Sequence, residues 1–327
     1  MPTASGIAAQ FGYGASNTYA SYSVPDHFVE LVSEGINLQV DRLESKGLRS
    51  ATRVQRSDRW TANKKGATGD VEFEVSSKGY GLMFKHWLGA VATTTAPGGT
   101  TSKRHRCTIG DPVGLMLTMQ IGRPDDTGTV QPFSYLGCKV VAGELSNSVD
   151  GYLMFKATVD AADESTSSGL AAVSYPSSDE LLNFTGGALT IGGVAVATVH
   201  DIAINAAINL KTDRYGIRSS TLKKEPIADD FVVVSGTITT EFESLTAYNR
   251  YVNGTTAAIV GTWTGATALE GAIFPQVVAT MPVCRFDGDT PNLAGKAMLT
   301  QQLKFKALYD GSQEPLTVDY ITLDATP

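Results

Sequence analysis

The sequence predicts a mainly β chain made of two copies of one β-sandwich domain, each copy with one short flanking α-helix. Three observations lead there. Apolar and polar residues alternate in many short runs, the period of a strand with one buried face. Segments rich in glycine, serine and threonine separate those runs in a chain with 33 Gly among 327 residues, and glycine supplies the positive φ angles that tight connections need. The second half also repeats motifs of the first in the same order.

Residues 1–24 are small and polar, with Gly12, Gly14 and the aromatics Phe11, Tyr13, Tyr19 and Tyr22 in no clear period. They predict an N-terminal arm that packs on something else. Alternation begins at Phe28 and resumes over Ile36, Leu38 and Val40. A basic stretch follows, and then Val71, Phe73 and Val75 alternate with Asp70, Glu72 and Glu74, a strand with one apolar and one acidic face. Tyr80, Phe84, Trp87 and Leu88 have the spacing of one helix face, and Gly89 is its expected stop. Residues 93–106 read as a loop by composition. Strands are expected over Leu115–Ile121, Cys138–Leu145 and Tyr152–Val159, and residues 161–180 read as a linker.

The repeat rests on two matches. Ile36-Asn37-Leu38-Gln39-Val40-Asp41-Arg42 returns as Ile208-Asn209-Leu210-Lys211-Thr212-Asp213-Arg214, 172 residues on (208 − 36). Leu153-Met154-Phe155-Lys156-Ala157 returns as Leu303-Lys304-Phe305-Lys306-Ala307, 150 residues on (303 − 153). Between them Thr237–Phe242 takes the part of Asp70–Val75, and Leu245, Tyr248 and Val252 form a second helix face. The implied division is an arm over 1–24, a first domain over 25–165, a linker over 166–185 and a second domain over 186–327.

Chemistry-bearing constellations are sparse. His27, His86, His105 and His200 are scattered and match no metal or nucleophile motif. His105 and Cys107 would share a strand face as structural residues. Cys107, Cys138 and Cys284 are odd in number and far apart, which argues for small core residues rather than a disulfide framework. Asp125-Asp126 and the run beginning at Asp287 read as turns. The sequence therefore predicts no enzyme and no cofactor. It also lacks a secretory leader pattern and a bilayer-length apolar run, so a cytosol-like setting away from membranes is expected.

The strongest signal is electrostatic. Between Arg42 and Lys65 stand Arg42, Lys46, Arg49, Arg53, Arg56, Arg59, Lys64 and Lys65 against Glu44 and Asp58, a local charge of +6 in a chain of net charge −7. Such division of the surface suits a long loop that meets an acidic neighbour and sets its register. Phosphate binding is the competing reading, with Trp60 as the one aromatic available for stacking.

Gly12-Tyr13-Gly14, Pro25 with Phe28-Val29-Glu30-Leu31, Arg53-Val54-Gln55-Arg56-Ser57-Asp58-Arg59, Gly69-Asp70-Val71-Glu72-Phe73-Glu74-Val75 and the helix from Gly79 to Leu88 together resemble the tail tube proteins of long-tailed, non-contractile bacteriophages. The resemblance covers about the first ninety residues. It implies a structural virion protein whose strands join those of neighbours into an inner β-barrel. Its stacked rings would surround a tape measure protein during assembly, end at tail terminator and tail-tip proteins, and conduct DNA in transit without gripping it. Two copies per chain imply homotrimeric, pseudo-hexameric rings, assembled in the host cytoplasm into the virion tail. The loop from Arg42 to Lys65 maps to the inter-subunit or inter-ring contact of such proteins. A nucleic-acid-binding module using residues 42–65, and a capsid decoration or tail-fibre β-protein, are the alternatives.

Overall fold

The computed structural model describes residues 6–327 except 219, 289, 292, 294, 295 and 297. The fold is mainly β, with two short α-helices among the described residues. Strand β1 (Gln10–Ser16) is the first departure from expectation: residues 10–16 are not an arm but a strand bonded to its own chain. Phe11 and Tyr13 are fully buried. Gly12 is required because a Cβ there would lie 2.6 Å from the ring of Phe28, its partner on β2 (His27–Phe28), which bonds the edge of β1 away from β8.

After β3 (Ser33–Glu34) and β4 (Asn37–Glu44), β5 runs from Trp60 to Glu74. The basic stretch is thus the loop 45–59 with the strand ends that flank it: Arg42 lies on β4 and Lys64 and Lys65 on β5. Ala67, Val71 and Phe73 are buried, as their alternation requires. Helix α1 (Gly81–Leu88) ends at Gly89, whose φ of 102° only glycine adopts without strain. Its Phe84 and Trp87 each lie 5.2 Å from Phe155, and Phe84 also meets Tyr320 at 5.7 Å, so the helix closes one aromatic core.

The stretch 93–106 is not one loop. Strands β6 (Gly89–Thr95) and β7 (Lys103–Ile109) pair across a short turn, because their threonines and valine tolerate a pleated edge. Strands β8 (Met116–Pro124) and β9 (Val130–Ser148) form a hairpin. At its tip the Asp125 carboxylate accepts from the backbone N–H groups of Thr127 and Thr129, and bonds from Thr127 and Gln131 help hold it down at about 2. Strands β10 (Met154–Ala161) and β11 (Asp163–Ser165) complete the first half.

The second half comprises β12 (Gly187–Ile191), β13 (Val194–Ala195), β14 (Val199–Ala207), β15 (Leu210–Lys211), β16 (Ile227–Ala228) and β17 (Val233–Glu241). Helix α2 (Leu245–Asn253), β18 (Ala257–Thr264), β19 (Gln276–Phe286), β20 (Thr300–Ala307) and β21 (Thr317–Thr322) follow. Strand β21 bonds β19 on one side and β7 on the other, and Tyr320 and Thr322 donate to the Ser76 and Ser77 carbonyls. The C-terminal strand therefore stitches both halves together.

What positions the functional surfaces is one run of eight strands in the order β4-β5-β10-β9-β14-β17-β20-β19, every neighbour antiparallel. One face packs on the core. The other is open.

Candidate assembly surfaces

The two four-strand halves of this sheet follow the same register. Asn37 faces Thr68, Thr68 faces Asp160 and Asp160 faces Lys139; Asn205 faces Ser235, Ser235 faces Lys306 and Lys306 faces Arg285. Two irregularities recur as well. The register slips between Leu117↔Cys138 and Met119↔Tyr135, and in the same way between Ala257↔Cys284 and Ile259↔Met281. At each slip the cysteine thiol donates to the carbonyl three residues back, that of Tyr135 or Met281. Gly69 and Gly236 each sit where a Cβ would strike a neighbouring backbone carbonyl, that of Gly35 at 2.1 Å and that of Ala203 at 2.2 Å.

These rows make Asn205 the counterpart of Asn37 at a spacing of 168 (205 − 37), and Lys306 that of Asp160 at 146 (306 − 160). Both spacings are four shorter than the sequence motifs indicate. The reason is the strand period: a slip of four residues returns every side chain to the same face, so polarity patterns match equally well.

Between the halves lies a joint, β9 against β14, with seven residue pairs from Asp201↔Ser148 to Ala207↔Ala142. Ile208 extends it by donating its N–H to the Val141 carbonyl at 2.8 Å. From below, the Trp87 indole N–H donates to the Ala206 carbonyl at 3.0 Å. Gly143 makes room for that ring, since a Cβ there would lie 2.6 Å from it. Ile204, Ala206 and Ile208 are buried. The halves meet as tightly as strands within either half.

The outer strands of the run are not covered in this way. β4 is bonded by β5 along one edge, and its Val40 and Leu43 are exposed. At the other end β19 bonds β20 through Cys284–Phe286. Among the described residues no strand bonds Arg285 or Phe286 on the side away from β20.

Of the eight predicted contact residues, Lys65 pairs with Asp163 at 2.7 Å and Arg56 with Asp58 at 2.6 Å. Arg42 lies over Trp60 and Lys64 over Tyr215, at 5.6 and 5.0 Å. Lys46, Arg49, Arg53 and Arg59 are exposed on the loop. The structure thus groups all eight at one end of the sheet, without a shared acidic surface.

The corresponding segment of the second half, residues 209–226, behaves differently, and its role was not visible in sequence. Its described residues fold back across the ends of β5, β10 and β9. Tyr215 donates its hydroxyl to the Lys65 carbonyl at 2.9 Å, and Lys65 donates its N–H to the Thr221 carbonyl. Lys223 pairs with Asp160 at 2.5 Å, both side chains only 4% exposed, and Lys139 pairs with Glu225 at 2.5 Å. Burial pushes the Asp160 carboxyl up and the Lys139 ammonium down. The one legible hint was two lysines and a glutamate in a row at 223–225.

The open face is unevenly charged. In the first half it carries Asp70, Glu72, Glu74 and Glu144 beside Lys156, which bridges Asp70 at 2.8 Å. In the second half Asp201 and Glu241 stand with Lys304 and Lys306. The strand ends away from the basic loop carry Glu74, Asp150, Asp201, Glu241 and Glu243, so the two ends of the sheet have opposite charge.

His105 is held by Thr93 and the Asp324 carbonyl, and all three cysteines are buried. No group of three or more His, Cys, Asp or Glu among the described residues could hold a metal ion, and no helix of the described residues is long and apolar enough to cross a membrane.

Compared with known families, residues 6–307 match the family described as phage tail tube protein in a single span across both halves. No curated protein matches the chain.

Proposed function

The chain belongs to the phage tail tube protein family, and we propose that it polymerises into stacked rings whose bore carries DNA at ejection. The observation that carries this reading is the β9–β14 joint. If the halves are copies of one domain, the strand that plays β14 in the first half is β4, and its partner is the edge that begins where β19 of another chain ends, since the spacing of 146 sets the counterparts of residues 142–148 beyond Phe286. Repeating the joint between chains closes a ring without leaving a sheet edge, which is what a long exposed edge otherwise costs in aggregation. Three chains of eight strands, 3 × 8 = 24, then form the wall, a homotrimeric ring with pseudo-sixfold symmetry.

In this arrangement the open face lines the bore. Asp70, Glu72, Glu74 and Glu144 repel phosphate, so DNA slides rather than binds. During assembly the same bore holds the tape measure protein, and terminator and tip proteins close the two ends. Loop 45–59 brings its cations to the acidic end of the next ring, so rings stack with one polarity. Assembly takes place in the host cytoplasm and the product resides in the virion tail.

Negative-stain micrographs and native mass spectrometry of the purified protein test the proposal. Hollow striated tubes and a ring mass of three chains are expected. Rings of six chains would remove the duplication argument, and tight, salt-sensitive DNA binding by a protein that never forms tubes would favour the nucleic-acid module instead.

A further inference from the structure

We infer that helix α2 is the unfinished half of the ring joint, its outward apolar face completed by strand β4 of a second copy of this chain. The inference rests on the ring reading above. It starts from a contrast between two helices in corresponding places. Each follows a central strand, β5 or β17, and each ends at a left-handed glycine, Gly89 or Gly254. In α1 Phe84, Trp87 and Leu88 are buried; in α2 no residue is. Leu245 and Val252 are 58% and 57% exposed, and Tyr251 is exposed beside them.

The difference has a cause in the fold. Helix α1 lies beneath the β9–β14 joint, where Trp87 reaches across to Ala206. Helix α2 lies against β19, with Arg250 over the Phe286 ring at 6.0 Å and Tyr251 within 3.9 Å of a Cβ built on Gly288. Beyond β19 no strand among the described residues covers the helix. Counting back from the two capping glycines, Val252 takes the place of Trp87.

The missing cover is present on the far edge of the same chain. At the spacing of 168 fixed by Asn37 and Asn205, Leu38 corresponds to Ala206 and Val40 to Ile208. Ile208 is 3% exposed under its joint, whereas Val40 is 42% exposed. Leu38 faces Ala67, so this apolar pair points to the helix side of the sheet. A nine-residue helix is marginal unless its apolar face is packed, and β4 of another copy offers a surface of matching register. Ring closure therefore buries Val252 and Tyr251 against Leu38 and Val40, and fixes α2.

Hydrogen exchange on the full-length chain, free and in tubes, reads this directly. Amides within 246–253 should exchange at least about tenfold more slowly in tubes. Val252→Asp and Val40→Asp should each leave the free chain's melting unchanged and abolish tubes, while Val173→Asp, exposed elsewhere, leaves tubes intact. Equal exchange of α2 in tubes and free chain, or normal tubes from Val252→Asp, overturns the inference and leaves the ring reading standing. Failure of the unaltered chain to form rings removes both.

Discussion

Replacing Lys223 by Met should destabilise the chain by about 3–5 kcal/mol at pH 8, the cost of leaving a buried charge without its partner. Asp160 and Lys223 are each only 4% exposed and meet at 2.5 Å. The other carboxylate oxygen of Asp160 has no hydrogen-bond partner, so nothing remains to stabilise the anion once the ammonium is gone. Burial already raises this carboxyl in the folded chain, Lys223 opposing the rise, and the substitution raises it further. A carboxyl raised by folding binds its proton more readily when folded, so its penalty grows as pH climbs from the ordinary carboxylate range through the raised value. The loss should therefore be largest at pH 8 and shrink toward pH 4. Urea unfolding across that range measures it. The pair Lys223→Met with Asp160→Leu should recover most of the stability, because two apolar groups of similar size need no compensation. A loss below about 1 kcal/mol, or one that grows on acidification, would refute the idea that segment 209–226 is clasped by this pair.

Two further outcomes follow from the same surfaces. Changing Arg53, Arg56 and Arg59 together to Glu should alter stability by no more than about 0.5 kcal/mol per site, since the loop is exposed, yet shorten or abolish tubes in micrographs. Burial pushes the His86 imidazole down from 6.5 to about 4; a histidine kept neutral by folding costs stability as pH falls through that window, on the order of 3 kcal/mol in full. Comparison of unfolding at pH 7 and pH 4 with the His86→Gln variant should isolate that slope, and identical slopes in both proteins would count against it.

Sequence patterning located the elements better than it located their partners. Val71, Phe73, Phe84, Trp87 and Phe155 were legible as core because burial acts on one residue at a time and leaves a period in the chain. Register is a relation between distant residues, and alternation constrains it only to even steps; hence the four-residue displacement at Ile36 and at Leu153. Residues 10–16 escaped for a related reason. Gly12 and Gly14 replace the side chains of one face, so the strand shows no alternation of polarity even though Phe11 and Tyr13 alternate toward the core.

The basic stretch and its counterpart sharpen the point. Segment 209–226 has a partner in its own chain, and its charges are paired off against Asp160 and Lys139. The counterparts of Asp160 and Lys139 across the repeat are Lys306 and Arg285, the latter already paired with Asp287, so the same clasp by loop 45–59 on a neighbouring chain would bring its cations to cationic positions. That repulsion disfavours such a clasp and supports the proposed contact of the first loop with acidic strand ends of another ring. Divergence between the halves thus has a physical consequence: one loop is clasped within its own chain, while loop 45–59 is left exposed, as its proposed role between rings requires.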